Sequence, residues 1–291
     1  MFDNTTFSIE TNIITEQGVK NYGITNFLCG SGLCHNFLYT WMFLNLLATI
    51  FIFVSSGSLF LIYYVNPTFE MWQRKTQAEF PTVHMVRDEI LQMLKGMGTA
   101  TLCPAASLWM ADRGYSKAYC IEDGNFSISS LILQFMCVWI ISDGFEFLYH
   151  YCGHYFSLLW KAHKPHHKFF NPSPFAVIAD DFLDQLVRSS PLLWMPLIAP
   201  MNIEMMLLQF ALFFYVYGIF LHWGFEFDWL DADHPIINSA YHHNLHHMIS
   251  AKNQPYHCGF FFKIWDQIFG SIYKGPPFDA KTQRKEGKRT K

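Results

Sequence analysis

The first feature that limits the fold is a long interval without charge. No lysine, arginine, aspartate or glutamate occurs between Lys20 and Glu70, and residues 37–65 inside this interval are almost continuously apolar or aromatic. About 20 such residues cross the hydrocarbon core of a bilayer, so this run is long enough to span it with tilt. A signal peptide fits poorly, because the run starts late, is too long and has no basic flank. We expect a membrane protein, with a buried core helix as the alternative.

Composition agrees with this interpretation. Only 15% of the residues are charged, against about 25% in an average soluble domain. The apolar content excludes a disordered chain or a coiled coil, and seven cysteines in 291 residues argue against a disulfide scaffold. A net charge of −3 disfavours nucleic acid as a partner.

Three further apolar segments follow. Residues 90–110 are interrupted by Lys95 and Pro104, so they form either a span or a helix on the membrane surface. Residues 126–149 are apolar until Asp143 and Glu146. Residues 186–221 are about twice the length of a short span and predict a helical hairpin, whose proline-rich first arm should be kinked. The fold class is therefore all-α, a polytopic membrane bundle of about four to five membrane helices.

Charge at the end of the chain predicts its orientation. Residues 274–291 hold seven basic and two acidic side chains, which places this tail in the cytosol by the positive-inside rule. Counting spans backwards then places residues 150–185 and 222–273 in the cytosol and the N-terminus in the lumen. The expected organisation is a lumenal segment 1–36, one membrane domain 37–273 and the basic tail 274–291.

Three features of the predicted lumenal side are weak signals. Glycosylation sequons begin at Asn4 and Asn125. Cys29 and Cys34 could pair there, or remain thiols.

Histidines form three groups on the predicted cytosolic side. Each group offers two or three imidazoles at a spacing that lets them converge, and the groups are His150 and His154; His163, His166 and His167; and His243, His246 and His247. Eight imidazoles exceed the roughly three that one catalytic zinc takes. Two metal ions sharing eight or nine ligands fit the number. We treat His35 and His84 as ordinary structural or surface residues.

The sequence motifs of several other enzyme classes are missing. None of the three groups has the glutamate that the His-Glu-x-x-His zinc proteases require, and no nucleophile elbow, phosphate loop or dinucleotide fingerprint is present. Imidazole ligands suit iron, zinc or copper. The expected reaction favours iron, because attack on an unactivated lipid C–H bond needs activated oxygen, and zinc has no redox chemistry.

Polar side chains accompany the histidines. Asp143 and Glu146 share one helix face with His150 and His154, so they either orient ligands or line the substrate entrance, or lie in interfacial water. His222 ends the predicted hairpin and is an expected ninth ligand, and further candidates are Glu226 and His242.

The ordered pattern His-x3-His, His-x2-His-His, His-x2-His-His around a hydrophobic hairpin resembles the fatty acid hydroxylase/sterol desaturase superfamily. The segment from Phe262 to Gly270, with Trp265-Asp266, resembles the ending of that family. The resemblance implies a di-iron enzyme of the endoplasmic reticulum membrane that uses O2 and electrons from NAD(P)H through cytochrome b5 and its reductase. The ligands that it implies are His150, His154, His163, His166, His167, His222, His243, His246 and His247.

Within this superfamily the chain is most similar to sterol C-5 desaturases. The similarity rests on residues 102–117 and on Ser173-Pro174-Phe175-Ala176. Where those desaturases have a histidine before a proline, this chain has Asp181-Phe182, an aspartate that resembles sphingolipid C-4 hydroxylases. Asp181, Asp184 and Asp266 are therefore possible additional ligands or supports, and desaturation and hydroxylation both stay open.

The leading hypothesis is an oxygen-dependent lipid desaturase or hydroxylase with a sterol as first choice. Alternatives in the superfamily are a sphingolipid or fatty-acid hydroxylase and a sterol C-4 methyl oxidase. The opposing class is a non-catalytic membrane metal-binding protein or a transporter. A transporter should place histidines and acidic residues along several spans, whereas here they collect on one face.

Overall fold

The computed structural model describes residues 33–77, 79–119 and 127–275. Both sequons, Cys29, most of the predicted lumenal segment and nearly all of the basic tail lie outside these residues. The described chain is mostly helical, which confirms the predicted class. Its α-helices are α1 (Phe37–Phe60), α2 (Phe69–Gln73), α3 (Val83–Ala100), α4 (Leu102–Asp112), α5 (Ile128–Tyr155), α6 (Ser157–His163), α7 (Phe182–Ser189), α8 (Pro191–Ile198), α9 (Ile203–Gln209), α10 (Val216–His222), α11 (Ala240–Ile249) and α12 (Ile264–Phe269).

Short elements connect these helices. Turns of 3-10 helix lie at Leu33–His35, His166–Lys168 and Pro174–Ile178. Helix α1 continues through a π-helical turn at Leu61–Val65, and another at Phe210–Tyr215 joins α9 to α10. Two short strands, β1 (Ala118–Tyr119) and β2 (Met201–Asn202), pair in parallel.

Three helices of the described chain are long and apolar enough to cross a membrane: Phe37–Val65, Ile128–Tyr155 and Ile203–His222. Much of the apolar surface of these helices is not covered by the rest of the protein. In α1, for example, the large side chains of Leu46, Ile50 and Val54 are exposed. In water such a surface would be costly, and in lipid it is not. The predicted total of four to five membrane helices stays a prediction.

The two less regular segments are broken into short helices. Residues 90–110 belong to α3 and α4, which meet at Thr101, and Pro104 lies in the first turn of α4 where its missing N–H has no helical partner to lose. The predicted proline-rich arm is likewise divided into α7 and α8, with Pro191 at the first position of α8. At each boundary a proline lies in the first turn of the second helix, whereas Pro196 lies inside α8.

One core cluster holds the loop that follows the second histidine group. Ile52 of α1, Met97 of α3 and Ile219 of α10 pack with Phe175 and Ile178 of the 3-10 turn, and all five side chains are buried. The Ser56 hydroxyl donates to the Pro174 carbonyl at 2.9 Å. This packing fixes the start of the segment that leads to α7.

Glycine at position 96 makes one of these contacts possible. A Cβ added at Gly96 would lie 2.5 Å from the carbonyl oxygen of Ile178, whereas a Cβ added at Gly98 would meet its nearest atoms at 3.8 and 3.9 Å. Helix α3 can therefore approach the Pro174–Ile178 turn only because residue 96 has no side chain.

We predict that Gly96→Ala lowers the free energy of unfolding by roughly 1–3 kcal/mol, because the backbone of the turn must move away. Gly98→Ala is the matched control, and it should leave stability unchanged or raise it, since alanine favours helix over glycine by about 1 kcal/mol. The apparent melting temperature of the detergent-purified protein measures both. Equal effects of the two substitutions would contradict the packing argument.

Candidate metal centre

Nine buried or half-buried imidazoles converge at one end of the bundle. They form two groups, in each of which the ligand-capable atoms lie within 4.8 Å of one another. We name them the five-histidine group, which contains His150, His154, His163, His167 and His246, and the four-histidine group, which contains His166, His222, His243 and His247. These are the nine histidines that sequence analysis selected.

Regular helical spacing explains most of this arrangement. His150 and His154 lie one turn apart on α5, and His243 and His247 lie one turn apart on α11. Adjacent residues point in different directions, so His246 joins the other group from His247. Neighbours on the 3-10 turn His166–Lys168 are divided between the groups in the same way.

The Nε2 atoms of the five-histidine group point at one another. Those of His150 and His246 lie 2.9 Å apart, those of His163 and His167 lie 3.0 Å apart, and His246 is 3.2 Å from His167. The Nε2 atom of His154 is buried and has no hydrogen-bond partner among the described residues.

The four-histidine group repeats this geometry. The Nε2 atom of His243 lies 3.0 Å from that of His222 and 3.1 Å from that of His247. His166 is more distant, with its Nε2 atom 3.5 Å from that of His222.

The opposite ring nitrogens are held by hydrogen-bond acceptors. Four Nδ1 atoms face backbone carbonyl oxygens, namely His150 with Cys258 at 3.0 Å, His154 with Ala251 at 3.1 Å, His246 with Tyr256 at 2.6 Å and His222 with Gly218 at 2.7 Å. A carbonyl oxygen can only accept, so each of these Nδ1 atoms carries the proton in the neutral ring. Each of these four rings is therefore the tautomer whose free lone pair is on Nε2.

Carboxylates hold two more rings. His163 Nδ1 lies 3.1 Å from Asp184 Oδ2, and His166 Nδ1 lies 2.6 Å from Asp180 Oδ1. All four side chains are buried. Such outer contacts fix the orientation of a metal-binding imidazole and raise its basicity.

These contacts test whether a metal fits. His150 and His246 both have their protons on Nδ1, so two lone pairs face each other at 2.9 Å. Neutral rings in that state repel unless a cation lies beside both nitrogens. The arrangement therefore suits a metal ion, and imidazole nitrogens are good ligands for iron, zinc or copper.

Burial also keeps most of the rings neutral, as metal binding requires, whereas the neighbouring Asp180 raises the pKa of His166. Removal from water, followed by the charges of neighbouring imidazoles, lowers the pKa values of His163, His167, His243, His246 and His247 well below the usual value. Metal ligation would lower them in the same direction.

An ion-pair network ties α5 to α7 beside the five-histidine group. Arg188 pairs with Glu146, and its Nε atom lies 3.6 Å from Asp184 Oδ2. Its Nη2 atom lies 3.5 Å from His163 Nδ1. Glu146 and Asp184, both predicted as supporting residues, therefore stand next to a ligand-forming ring without entering either group.

Two other predicted carboxylates support the loop that covers the groups. Asp143 accepts hydrogen bonds from the Phe261 N–H at 2.8 Å and the Trp265 indole at 2.7 Å. Asp266 accepts from the Cys258 N–H at 2.9 Å, which steadies the segment whose carbonyl receives His150. Both carboxylates therefore act indirectly, by holding the backbone of Cys258 and Phe261 in place.

The remaining predicted candidates lie outside both groups. Asp181 caps α7, where it accepts from the Leu183 N–H at 3.1 Å. Glu226 accepts from the Ser239 hydroxyl at 2.7 Å, and that hydroxyl lies 3.0 Å from His242 Nδ1.

Sequence analysis missed Asp180 and the pairing of Arg188. The signal for Asp180 was present, since it precedes Asp181 directly, but nothing in two adjacent aspartates tells which one faces a histidine. Arg188 is a charge within the apolar segment 186–221, and such a charge is itself a sign of a buried partner.

Comparison with known proteins agrees with this site. Residues 135–271 match the family model described as fatty acid hydroxylase, and all nine histidines lie within them. The resemblance to this family that the histidine spacing predicted is therefore confirmed.

Among curated proteins the similarity is to sterol C-5 desaturases. A Delta(7)-sterol 5(6)-desaturase of Aspergillus fumigatus is 32% identical over 74% of this chain and 59% of the relative. Human lathosterol oxidase is 27% identical over 71% of this chain and 70% of the relative, and the rat protein is 30% identical over 68% and 64%. The chain thus spans between about three fifths and seven tenths of the length of these relatives. No solved structure matches.

Two neighbouring aspartates offer a matched test of the site. Asp184→Ala removes the acceptor of His163, and we expect metal affinity to fall about 10–100-fold. Asp181→Ala removes only a helix cap, worth ~1 kcal/mol of stability, and should keep the metal. Elemental analysis of the purified proteins after dialysis against a chelator measures the difference. Metal loss in Asp181→Ala alone would make Asp181 a ligand instead.

Proposed function

We propose that this protein is an oxygen-dependent di-iron lipid desaturase with a sterol as its preferred substrate. The observation that carries the proposal is the pair of histidine groups, whose Nε2 atoms converge on two neighbouring points within a fatty acid hydroxylase domain. The named activities of the sterol desaturases and lathosterol oxidases support the choice of substrate.

The nine histidines are the proposed ligands. Five would hold one iron and four the other, with the remaining coordination positions open for chemistry. Bound iron supplies the redox chemistry that activates O2 for hydrogen abstraction, which zinc does not offer. Asp184 and Asp180 keep the rings of His163 and His166 oriented, and Arg188 compensates the charge of Asp184.

A cavity next to both groups is the proposed end of the substrate site. Its lining includes aromatic side chains, among them Phe210, Phe214 and Phe260, and the charged side chains of Glu146 and Arg188. Asp180, which contacts His166, also lines it. The aromatic side chains would exclude water from the reacting carbon atoms, and the charged ones can bind a hydroxyl group.

The balance of the reaction requires an outside reductant. Desaturation removes two hydrogen atoms from the lipid and reduces O2 to two waters, so two electrons and two protons must be supplied. Cytochrome b5 with its NAD(P)H-dependent reductase is the proposed source, in keeping with the absence of a dinucleotide fingerprint.

The proposed location is the endoplasmic reticulum membrane, with the histidine groups and the C-terminus in the cytosol. Three apolar helices support membrane insertion, and the basic tail supports the orientation. The membrane domain would extend over residues 37–273.

We expect expression of this chain in yeast that lacks sterol C-5 desaturase to restore the C-5 double bond, because the relatives act on such sterols by name. Sterol profiling by mass spectrometry measures the outcome. Unchanged sterols with hydroxylated sphingoid bases or fatty acids would overturn the substrate and favour a hydroxylase. Loss of sterol C-4 methyl groups would instead indicate a methyl oxidase.

His246→Ala and His166→Ala remove one ligand from each group. Each should abolish product in the same strain, since two metals must act together, while the protein still inserts in the membrane at the normal level. His84→Ala is the control, because its side chain is exposed and lies outside both groups. Full turnover by either ligand variant would remove that histidine from the metal centre.

A further inference from the structure

The five-histidine group comes close to the protein surface at one aromatic side chain. Trp160 of α6 is half-buried, and its ring centroid lies 5.2 Å from that of His154, 5.6 Å from His167 and 6.3 Å from His163. These distances are direct ring contacts. Trp160 thus links three members of one group to the outer face of α6.

Lysines surround this contact. We name Lys161, Lys164 and Lys252 the lysine patch, and all three are exposed. Lys161 lies four residues after Ser157 and Lys164 seven, so these positions share one face of the helix, beside Trp160. Lys252 is brought to the same face because its ammonium donates to the Ser157 hydroxyl at 2.8 Å.

The positive charge of the lysine patch is not balanced by ion pairs within the described residues. Among the described residues no carboxylate forms an ion pair with Lys161, Lys164 or Lys252. Lys168, four residues beyond Lys164, differs in that it pairs with Asp88 at 3.0 Å. Unpaired surface charges of one sign steer and orient a partner of the opposite sign.

We propose that an acidic one-electron donor protein docks on the lysine patch and that its electrons enter the five-histidine group through Trp160. The inference rests on the proposed function, which needs two electrons per turnover. Two donor molecules are each oxidised by one electron, and with two protons these electrons complete the reduction of O2 to water. The Trp160 ring is partly exposed and also contacts the ligand-forming histidines, so it connects the surface to the group.

Anionic lipid is the competing partner for such lysines. Phe156, the N-cap of α6, and Leu158 in its first turn are exposed apolar side chains of the kind that enter a bilayer surface. The contact of Trp160 with three histidines favours the donor, since lipid binding would not require it.

The binding test uses the full-length protein without metal, in nanodiscs of zwitterionic lipid. The probe is the soluble haem domain of cytochrome b5, labelled for fluorescence anisotropy. Reversing two charges with Lys161→Glu and Lys164→Glu should weaken binding about tenfold or more at low salt and flatten its salt dependence. Lys95→Glu on α3 reverses an exposed charge outside the patch and should bind as the wild type does.

The electron test uses the iron-loaded protein without oxygen. Stopped-flow absorbance at saturating donor measures the rate at which the reduced haem domain is oxidised. This rate should fall in Trp160→Leu and return towards the wild-type rate in Trp160→Phe, which keeps an aromatic ring. Both variants should bind the haem domain with unchanged affinity. Iron content is measured in each preparation, so that a lost metal is not mistaken for a lost route.

The outcomes separate the two proposals. A wild-type protein that holds no redox-active metal contradicts the proposed function, whatever binds to the patch. If the wild-type protein holds the metal and accepts electrons, and the charge-reversed variant or Trp160→Leu accepts them equally well, the docking surface and route are overturned while the proposed function stands. Loss of binding to anionic vesicles with unchanged donor binding would assign the lysine patch to lipid.

Discussion

The candidate metal centre depends on where each imidazole keeps its proton. Backbone carbonyl oxygens accept the Nδ1 hydrogen of four rings, and buried carboxylates lie beside the Nδ1 atoms of two more, so the Nε2 lone pairs point inward. This outer set comes from several distant segments, among them the Tyr256–Cys258 loop that Asp266 holds in place. The fold around the site is therefore largely a means of presenting hydrogen-bond acceptors to rings that helices α5, α6, α10 and α11 and the 3-10 turn His166–Lys168 supply.

Burial and membrane insertion reinforce one another at this site. A buried cluster of neutral rings with facing lone pairs is unfavourable by itself, and a cation reverses that balance. Helix α5 joins the two environments, because its first half leaves Ile132, Leu133 and Ile140 exposed while His150 and His154 near its end are buried. The ion pair of Arg188 with Glu146 then connects α5 to α7 at the level of the rings.

Sequence alone could predict what depends on regular spacing. The helical class, the three long apolar helices and the nine converging histidines follow from periods that α-helices impose, as in His243 and His247. The rest depends on tertiary contacts. Thr101 divides a segment that hydropathy leaves continuous, and only the position of α7 decides that Asp180 and Asp184 face rings while Asp181 caps a helix. Trp160 has no pattern of its own, and its importance appears only with the histidines around it.

Helix α11 contributes to both groups, with His246 in one and His243 and His247 in the other. Neither group can reach its full ligand set until this helix has been synthesised and folded against α5 and α10. During translation, the earlier histidines emerge first and must wait as uncompleted partial sites. A complete ligand set for either candidate metal position therefore exists only after all the segments that precede α11 have been made.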